Sequence, residues 1–249
     1  KDSHSWLGRL NNIRTALQGQ QGDRRLRLGI AGGEWKKMMA DATARTRFAS
    51  EVKKIIEQYD FDGVDFDFEW PANASEYNNY SATVIQMRST LGKYVYFTAS
   101  LHPVSFKISP EAIDALDFIS YQCYGPAVMR FPYEQFVKDG EAAVAYGIPK
   151  NKLVMGVPFY GSTGSLIAAY CDFVNDGLAT TNEDTYTYKG NTYTFNSIET
   201  IRKKARYVCE EDYAGIMSWD LATDIDITNN KSLLKVIKEE FEYYANPTE

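Results

Sequence analysis

Apolar residues along the chain fall into two kinds of run. Short, nearly continuous runs occupy Leu26–Ala31, Gly63–Phe68, Val95–Ser100, Phe118–Cys123, Leu153–Val157 and Gly215–Trp219. Their length and their aromatic and β-branched content predict strands buried on both faces. Between them, apolar residues recur every three or four positions. In Arg47–Tyr59 the stripe is Phe48, Val52, Ile55, Ile56 and Tyr59, and Trp6–Leu17, Tyr133–Tyr146, Ile198–Val208 and Ser232–Tyr243 also predict helices. Strands alternating with helices define βα units and a parallel sheet. The connection over 161–197 is longer than the others. There Tyr186, Tyr188, Tyr193 and Phe195 alternate with threonines about Gly190-Asn191, a hairpin signal. The expected organisation is one domain over residues 1–249, with a small hairpin-bearing insertion at 161–197. Two α/β folds suit this pattern: an open doubly wound sheet, or a TIM (β/α)8 barrel with two units missing. Gly29-Ile30-Ala31-Gly32-Gly33 lacks the third, helix-opening glycine of a dinucleotide loop, so nothing supports the first.

Charge and composition narrow the partners. The 249 residues carry 27 Lys and Arg against 33 Asp and Glu, whereas nucleic-acid surfaces need a basic footprint. No apolar run approaches the roughly 18 residues of a membrane span. Lys1-Asp2-Ser3-His4 runs straight into a helical pattern, so an export signal is expected to have been removed or never to have existed. Cys123, Cys171 and Cys209 are odd in number and widely spaced, which fits neither a disulfide framework nor a zinc site.

The informative segment is Asp62-Gly63-Val64-Asp65-Phe66-Asp67-Phe68-Glu69-Trp70-Pro71. Strand side chains alternate, so Asp65, Asp67 and Glu69 share one face at intervals of roughly 7 Å. Like charges this close cannot all stay ionised cheaply, so at least one carboxyl must rise and hold a proton. Pro71 ends the strand and leaves Glu69 at its C-terminal mouth, where α/β enzymes keep their chemistry. A solvated edge, a magnesium or calcium site and an aspartyl nucleophile compete with one further reading. That reading is general acid catalysis by Glu69, its pKa raised by its neighbours, with no metal.

The same segment resembles the Asp-Gly-x-Asp-x-Asp-x-Glu signature of the family 18 glycoside hydrolases, the chitinase-like barrels. Leu28–Gly33, Leu116–Tyr124, Gly156–Gly161 and Gly215–Asp220 resemble that family's strand 3, 6, 7 and 8 segments, in order. The resemblance implies substrate-assisted, retaining hydrolysis of β-1,4-linked N-acetylglucosamine polymers or oligomers, without a cofactor. Glu69 would be the acid. Asp67 would hold the sugar's acetamido N–H, Asp65 would share a proton with Asp67, and Tyr124 would bind the acetamido oxygen. Trp219 would floor the sugar, with Gln122, Trp70, Met217 and Tyr160 as further substrate contacts. The implied partners are chitin, chito-oligosaccharides or N-acetylglucosamine-containing glycans, met by a monomer in an extracellular or cell-envelope setting. An endo-β-N-acetylglucosaminidase acting on N-glycan cores and a non-catalytic chitin-binding lectin are the alternatives. Retention of Glu69 speaks against the lectin.

Several positions depart from the family pattern. Ile30 stands where the family has serine, Phe68 replaces a tryptophan, Gln122 a methionine and Gly125 an aspartate. The family's first two strands have no counterpart; either about 50 residues of βα sequence precede this chain, which is the expectation, or a partner covers the gap. Trp35 and the hairpin aromatics suit sugar stacking and ordinary packing equally. His102 follows a strand and suits the cleft lining, but a lone histidine is more often structural, and His4 carries no signal. The sequons at Asn73 and Asn79 carry little weight beside the catalytic strand end.

Overall fold

The computed structural model describes residues 5–18, 24–125, 127–180 and 182–246. It opens with α1 (Trp6–Leu17), β1 (Arg27–Gly32), α2 (Lys36–Ala40), α3 (Ala42–Gln58) and β2 (Gly63–Phe68). There follow α4 (Ala74–Leu91), β3 (Tyr96–Leu101), α5 (Pro110–Ala115), β4 (Phe118–Tyr121), α6 (Tyr133–Tyr146) and β5 (Leu153–Pro158). Next come β6 (Tyr160–Ser162), β7 (Ile167–Ala169), α7 (Tyr170–Asn175), β8 (Thr185–Tyr188) and β9 (Asn191–Thr194). The chain closes on α8 (Ile198–Glu210), β10 (Gly215–Trp219) and α9 (Leu233–Ala245).

The apolar runs become one parallel sheet in the order β1-β2-β3-β4-β5-β10. This is the neighbour-to-neighbour order of consecutive strands in a (β/α)8 barrel. A doubly wound sheet would reverse direction at a switch point instead. Among the described residues the sheet does not close on itself, since β1 and β10 end the order. All six predicted strands are present, with ends displaced by two residues at most.

The helices cover the outer face. Val52 and Ile56 of α3 and Tyr80, Val84, Met87 and Leu91 of α4 are buried in the same cluster as Val64, Phe66 and Phe68 of β2. Helix α4 has no counterpart among the helices that the apolar periodicity predicts. Its stripe at 80, 84, 87 and 91 is sound, but Ser81 and Thr83 are buried beside it and blur the apolar face. The predicted hairpin forms as β8 and β9 and joins β6 and β7 in a four-stranded antiparallel sheet, β7-β6-β9-β8.

Candidate active site

Period-two alternation on β2 determines the site. Val64, Phe66 and Phe68 point outward and are fully buried. Phe66 packs against Phe48 and Tyr80, with ring centroids 5.7 and 5.3 Å away, and the Tyr80 hydroxyl donates to the Phe66 carbonyl at 3.0 Å. Asp65, Asp67 and Glu69 therefore face inward. Register adds Arg27, Gly29 and Ala31 from β1, opposite Gly63, Asp65 and Asp67, and Thr98 from β3, opposite Asp65.

Asp65 lies deepest and is held by three donors. Ser100 Oγ donates at 2.8 Å, Arg27 Nη1 lies at 3.3 Å, and the Thr98 hydroxyl donates from between them. The Arg27 guanidinium also sits 4.8 Å from the Phe118 ring centroid. The register turns Ile30 outward beside Phe66 and sets Gly29 opposite Asp65, so the bonds to Asp65 come from elsewhere than position 30. Hydroxyls on β3 and the guanidinium on β1 supply the steadying hydrogen bonds that a serine on β1 would give.

Asp67 has a poorer environment. Among the described residues, its one hydrogen bond comes from Gln122 Nε2 at 3.5 Å. Burial, reinforced by the charges of Glu69 and Asp65, pushes its carboxyl up to about 7, and the Gln122 contact opposes this only in part. Asp67 is the half-buried middle of the row, while Glu69 is exposed at the strand mouth. Glu69 is fixed through its backbone, whose N–H donates to the Gly32 carbonyl at 3.2 Å. The peptides Glu69–Trp70 and Trp219–Asp220, at the ends of β2 and β10, are both cis.

Beyond β4, the Tyr124 ring is buried and its hydroxyl meets Met217 Sδ of β10 at 3.4 Å. Gly156 of β5 makes room for it, since a Cβ there would lie 2.6 Å from the Tyr121 carbonyl oxygen and 2.8 Å from the Tyr124 ring. Tyr160 stands edge-on to Tyr124 and to Phe131, with centroids 6.4 and 5.6 Å away. Burial lifts its phenol to about 12. Gly125, at φ +36°, passes so close that a side chain would begin 2.8 Å from the Tyr160 hydroxyl. The loss of the family's aspartate at 125 is thus matched by a phenol in the same space.

These side chains line a cleft of about 240 Å³ bounded by Asp67, Glu69, Trp70, His102, Gln122, Tyr124, Gly125, Tyr160 and Trp219. Trp219 is 55% exposed, its ring open to a ligand. Asp65 and Met217 line the adjoining inner cavity beneath. All nine residues singled out from sequence therefore gather at the carboxyl end of the sheet.

Other candidates leave the site. Trp35 donates its indole N–H to the Ala31 carbonyl at 3.3 Å and packs on Phe48. The hairpin aromatics surround Phe173, with centroids 5.4 to 5.8 Å away, so they form the insertion's own core. Asn73 caps α4 by accepting the Glu76 N–H at 3.0 Å, while Glu76 accepts the Ala72 N–H. His102 lies in the cleft wall, the less favoured of its two expected placements. His4 lies outside the described residues.

Fold and site together define a (β/α)8-class protein with its polar side chains at the carboxyl strand ends. Within that class, the chain belongs to Glycosyl hydrolases family 18, whose family model matches residues 3–224. A relative named "Probable chitinase 2" from Drosophila melanogaster is 23% identical over 297 residues, covering 87% of this chain. The chain spans 60% of that relative's length. A family 18 chitinase from the chitin utilization locus of Flavobacterium johnsoniae superposes with a TM-score of 0.79 at 25% identity, over 93% of this chain and 79% of that one. A chitinase-like agglutinin from Robinia pseudoacacia gives 0.78 at 18% identity, over 96% and 87%, which shows a shared fold. Among the described residues, no helix is long and apolar enough to cross a membrane.

Proposed function

We propose that this chain hydrolyses β-1,4-linked N-acetylglucosamine polymers or oligomers with retention of configuration, using the substrate's own acetamido group as nucleophile. The observation that carries this reading is the division of labour along β2. An exposed Glu69 stands at the cleft mouth above a half-buried Asp67 whose carboxyl is raised to about 7. Protonated Glu69 gives its proton to the glycosidic oxygen as the bond from that oxygen to the anomeric carbon breaks. The acetamido oxygen forms a new bond to that carbon, and positive charge spreads over the resulting oxazolinium ring. Asp67 accepts the acetamido N–H, so ionised Asp67 offsets that charge in a place where water does not screen it. The Tyr124 phenol donates to the acetamido oxygen and aligns it, while Trp219 takes the apolar face of the sugar. Water then attacks the anomeric carbon as that carbon's bond to the acetamido oxygen breaks, restoring the acetamido group, and a proton from the water returns to Glu69. Gln122, Trp70, Tyr160 and Met217 shape the surrounding wall, and the chemistry calls for no cofactor. A polymeric glycan substrate suits a monomer working in an extracellular or cell-envelope setting.

The test is turnover of a fluorogenic N,N′-diacetylchitobioside by the wild-type chain and by Glu69→Gln. The expected result is a loss in kcat of about 10³-fold or more with binding retained. Equal turnover in the two proteins removes Glu69 from the mechanism. No turnover in either, with chito-oligosaccharide binding intact, assigns the chain to the sugar-binding class. A glycoprotein deglycosylation assay distinguishes action on N-glycan cores.

A further inference from the structure

His102, one residue beyond β3, is 1% exposed and has no spare polar atom. Its Nδ1 receives the Val104 N–H at 3.2 Å. A ring nitrogen that accepts a backbone N–H bears no proton, so in the neutral ring the proton sits on Nε2. Nε2 lies 3.0 Å from the Tyr124 carbonyl oxygen and 2.5 Å from that of Gly125. Both are acceptors, and the single Nε2–H is shared between them. The ring also packs against Trp70, with centroids 5.1 Å apart and planes inclined at 41°. The Trp70 indole N–H is itself buried and has no hydrogen-bond partner among the described residues. Packing therefore orients that ring, and His102 is part of the packing.

One side chain thus touches both strand ends that carry the proposed chemistry: β2 through the residue after Glu69, and β4 through the backbone of Tyr124. A space-filling residue needs neither carbonyl contact, and a leucine or phenylalanine would serve. We propose that His102, as the neutral Nε2–H tautomer, is a positioning residue that fixes Glu69–Trp70 relative to Tyr124–Gly125 across the cleft. Near-attack geometry is sensitive to this spacing, since a misplacement of about 1 Å costs on the order of 100-fold in rate. The kinetic consequence rests on the hydrolytic reading above. The tautomer and its contacts do not.

Two measurements test the proposal separately. The chain has two histidines, so in a His4→Gln background nitrogen-15 ring shifts report His102 alone. The expected spectrum shows a protonated Nε2 and a bare Nδ1 at neutral pH, and the opposite tautomer overturns the pin. For kinetics, His102→Phe keeps a ring against Trp70 but loses both polar links, whereas His102→Gln keeps an N–H for the carbonyls. On the chitobioside probe, His102→Phe should lose about 30-fold or more in kcat with KM within about threefold, and His102→Gln should recover to within about fivefold of wild type. Wild-type kcat in His102→Phe overturns the positioning role. Equal losses in both variants that track a fall in Tm overturn it too, leaving a packing role. An inactive wild-type chain overturns the hydrolytic reading instead, and the tautomer spectrum then decides the pin by itself.

Discussion

Burial and chemistry conflict most directly at Asp67. Its carboxyl is raised to about 7 chiefly by burial, so the folded chain holds a proton there that the unfolded chain releases near 3.8. Stability contributed by that proton is complete at low pH and is lost as pH climbs through about 7. Asp67→Asn removes the penalty of the buried anion while abolishing the charge that would offset the oxazolinium. At pH 8 the variant should melt roughly 3–6 °C above wild type and turn over at least about 10²-fold more slowly. The thermal advantage should shrink to nothing near pH 4, and a gain that ignores pH would refute the account. The row Asp65, Asp67, Glu69 was legible because three carboxylates on one strand face have no purely structural reason to exist. Which of them holds the proton was not legible. That depends on Arg27, Thr98 and Ser100 gathering at Asp65, residues that come from two neighbouring strands and mean nothing singly.

At the scale of elements, strands that are apolar on both faces announced themselves. The loops and small residues that aim their ends did not. Gly156 shows the difference. In sequence it is one of 17 glycines, but in β5 it lies in the van der Waals space of the Tyr121 carbonyl and the Tyr124 ring. Gly156→Ala must push one of them aside, and the backbone oxygen yields less readily than the phenol ring. The expected outcome is a shift of Tyr124, with kcat on the chitobioside probe reduced about 10- to 100-fold and a Tm loss of only about 2–4 °C. A variant with normal kcat would show that Tyr124 tolerates displacement. The same limit explains Trp35 and the hairpin aromatics. An aromatic beside a strand end reads identically whether it faces sugar or protein, and only the partners Phe48 and Phe173 decide.

Across the whole molecule, a half-buried carboxyl and a fully buried ammonium on opposite faces of the sheet pull stability in opposite directions with pH. Asp67 lies inside. Outside, Lys204 of α8 is fully buried, donating to the Phe131 carbonyl and to Asn196 Oδ1, each at 2.7 Å, with its ammonium 4.9 Å from the Phe136 ring centroid. Asn196 Nδ2 donates to the same Phe131 carbonyl at 2.8 Å, so these residues tie the end of the 161–197 segment to the loop that carries Tyr124. Burial lowers Lys204 to about 7, against weaker opposition from Cys123, Asp184, Asp139 and Glu134. Between about 7 and its ordinary 10.5 the unfolded chain binds a proton there that the folded chain does not, so stability rises with pH in that window. Below 7, Asp67 makes stability fall as pH rises. The two effects together predict a shallow minimum in Tm near neutrality, each flank limited to about 1.4 kcal/mol per pH unit. Lys204→Met should flatten the alkaline flank between pH 7 and 9, removing about 3–6 °C of rise, and leave the acid flank in place. Asp67→Asn should do the reverse. Melting curves of the three proteins from pH 4.5 to 9 decide the matter. An alkaline rise that survives in Lys204→Met would mean that the ammonium keeps its proton in the folded chain, held by Phe131 and Asn196 strongly enough to outweigh burial.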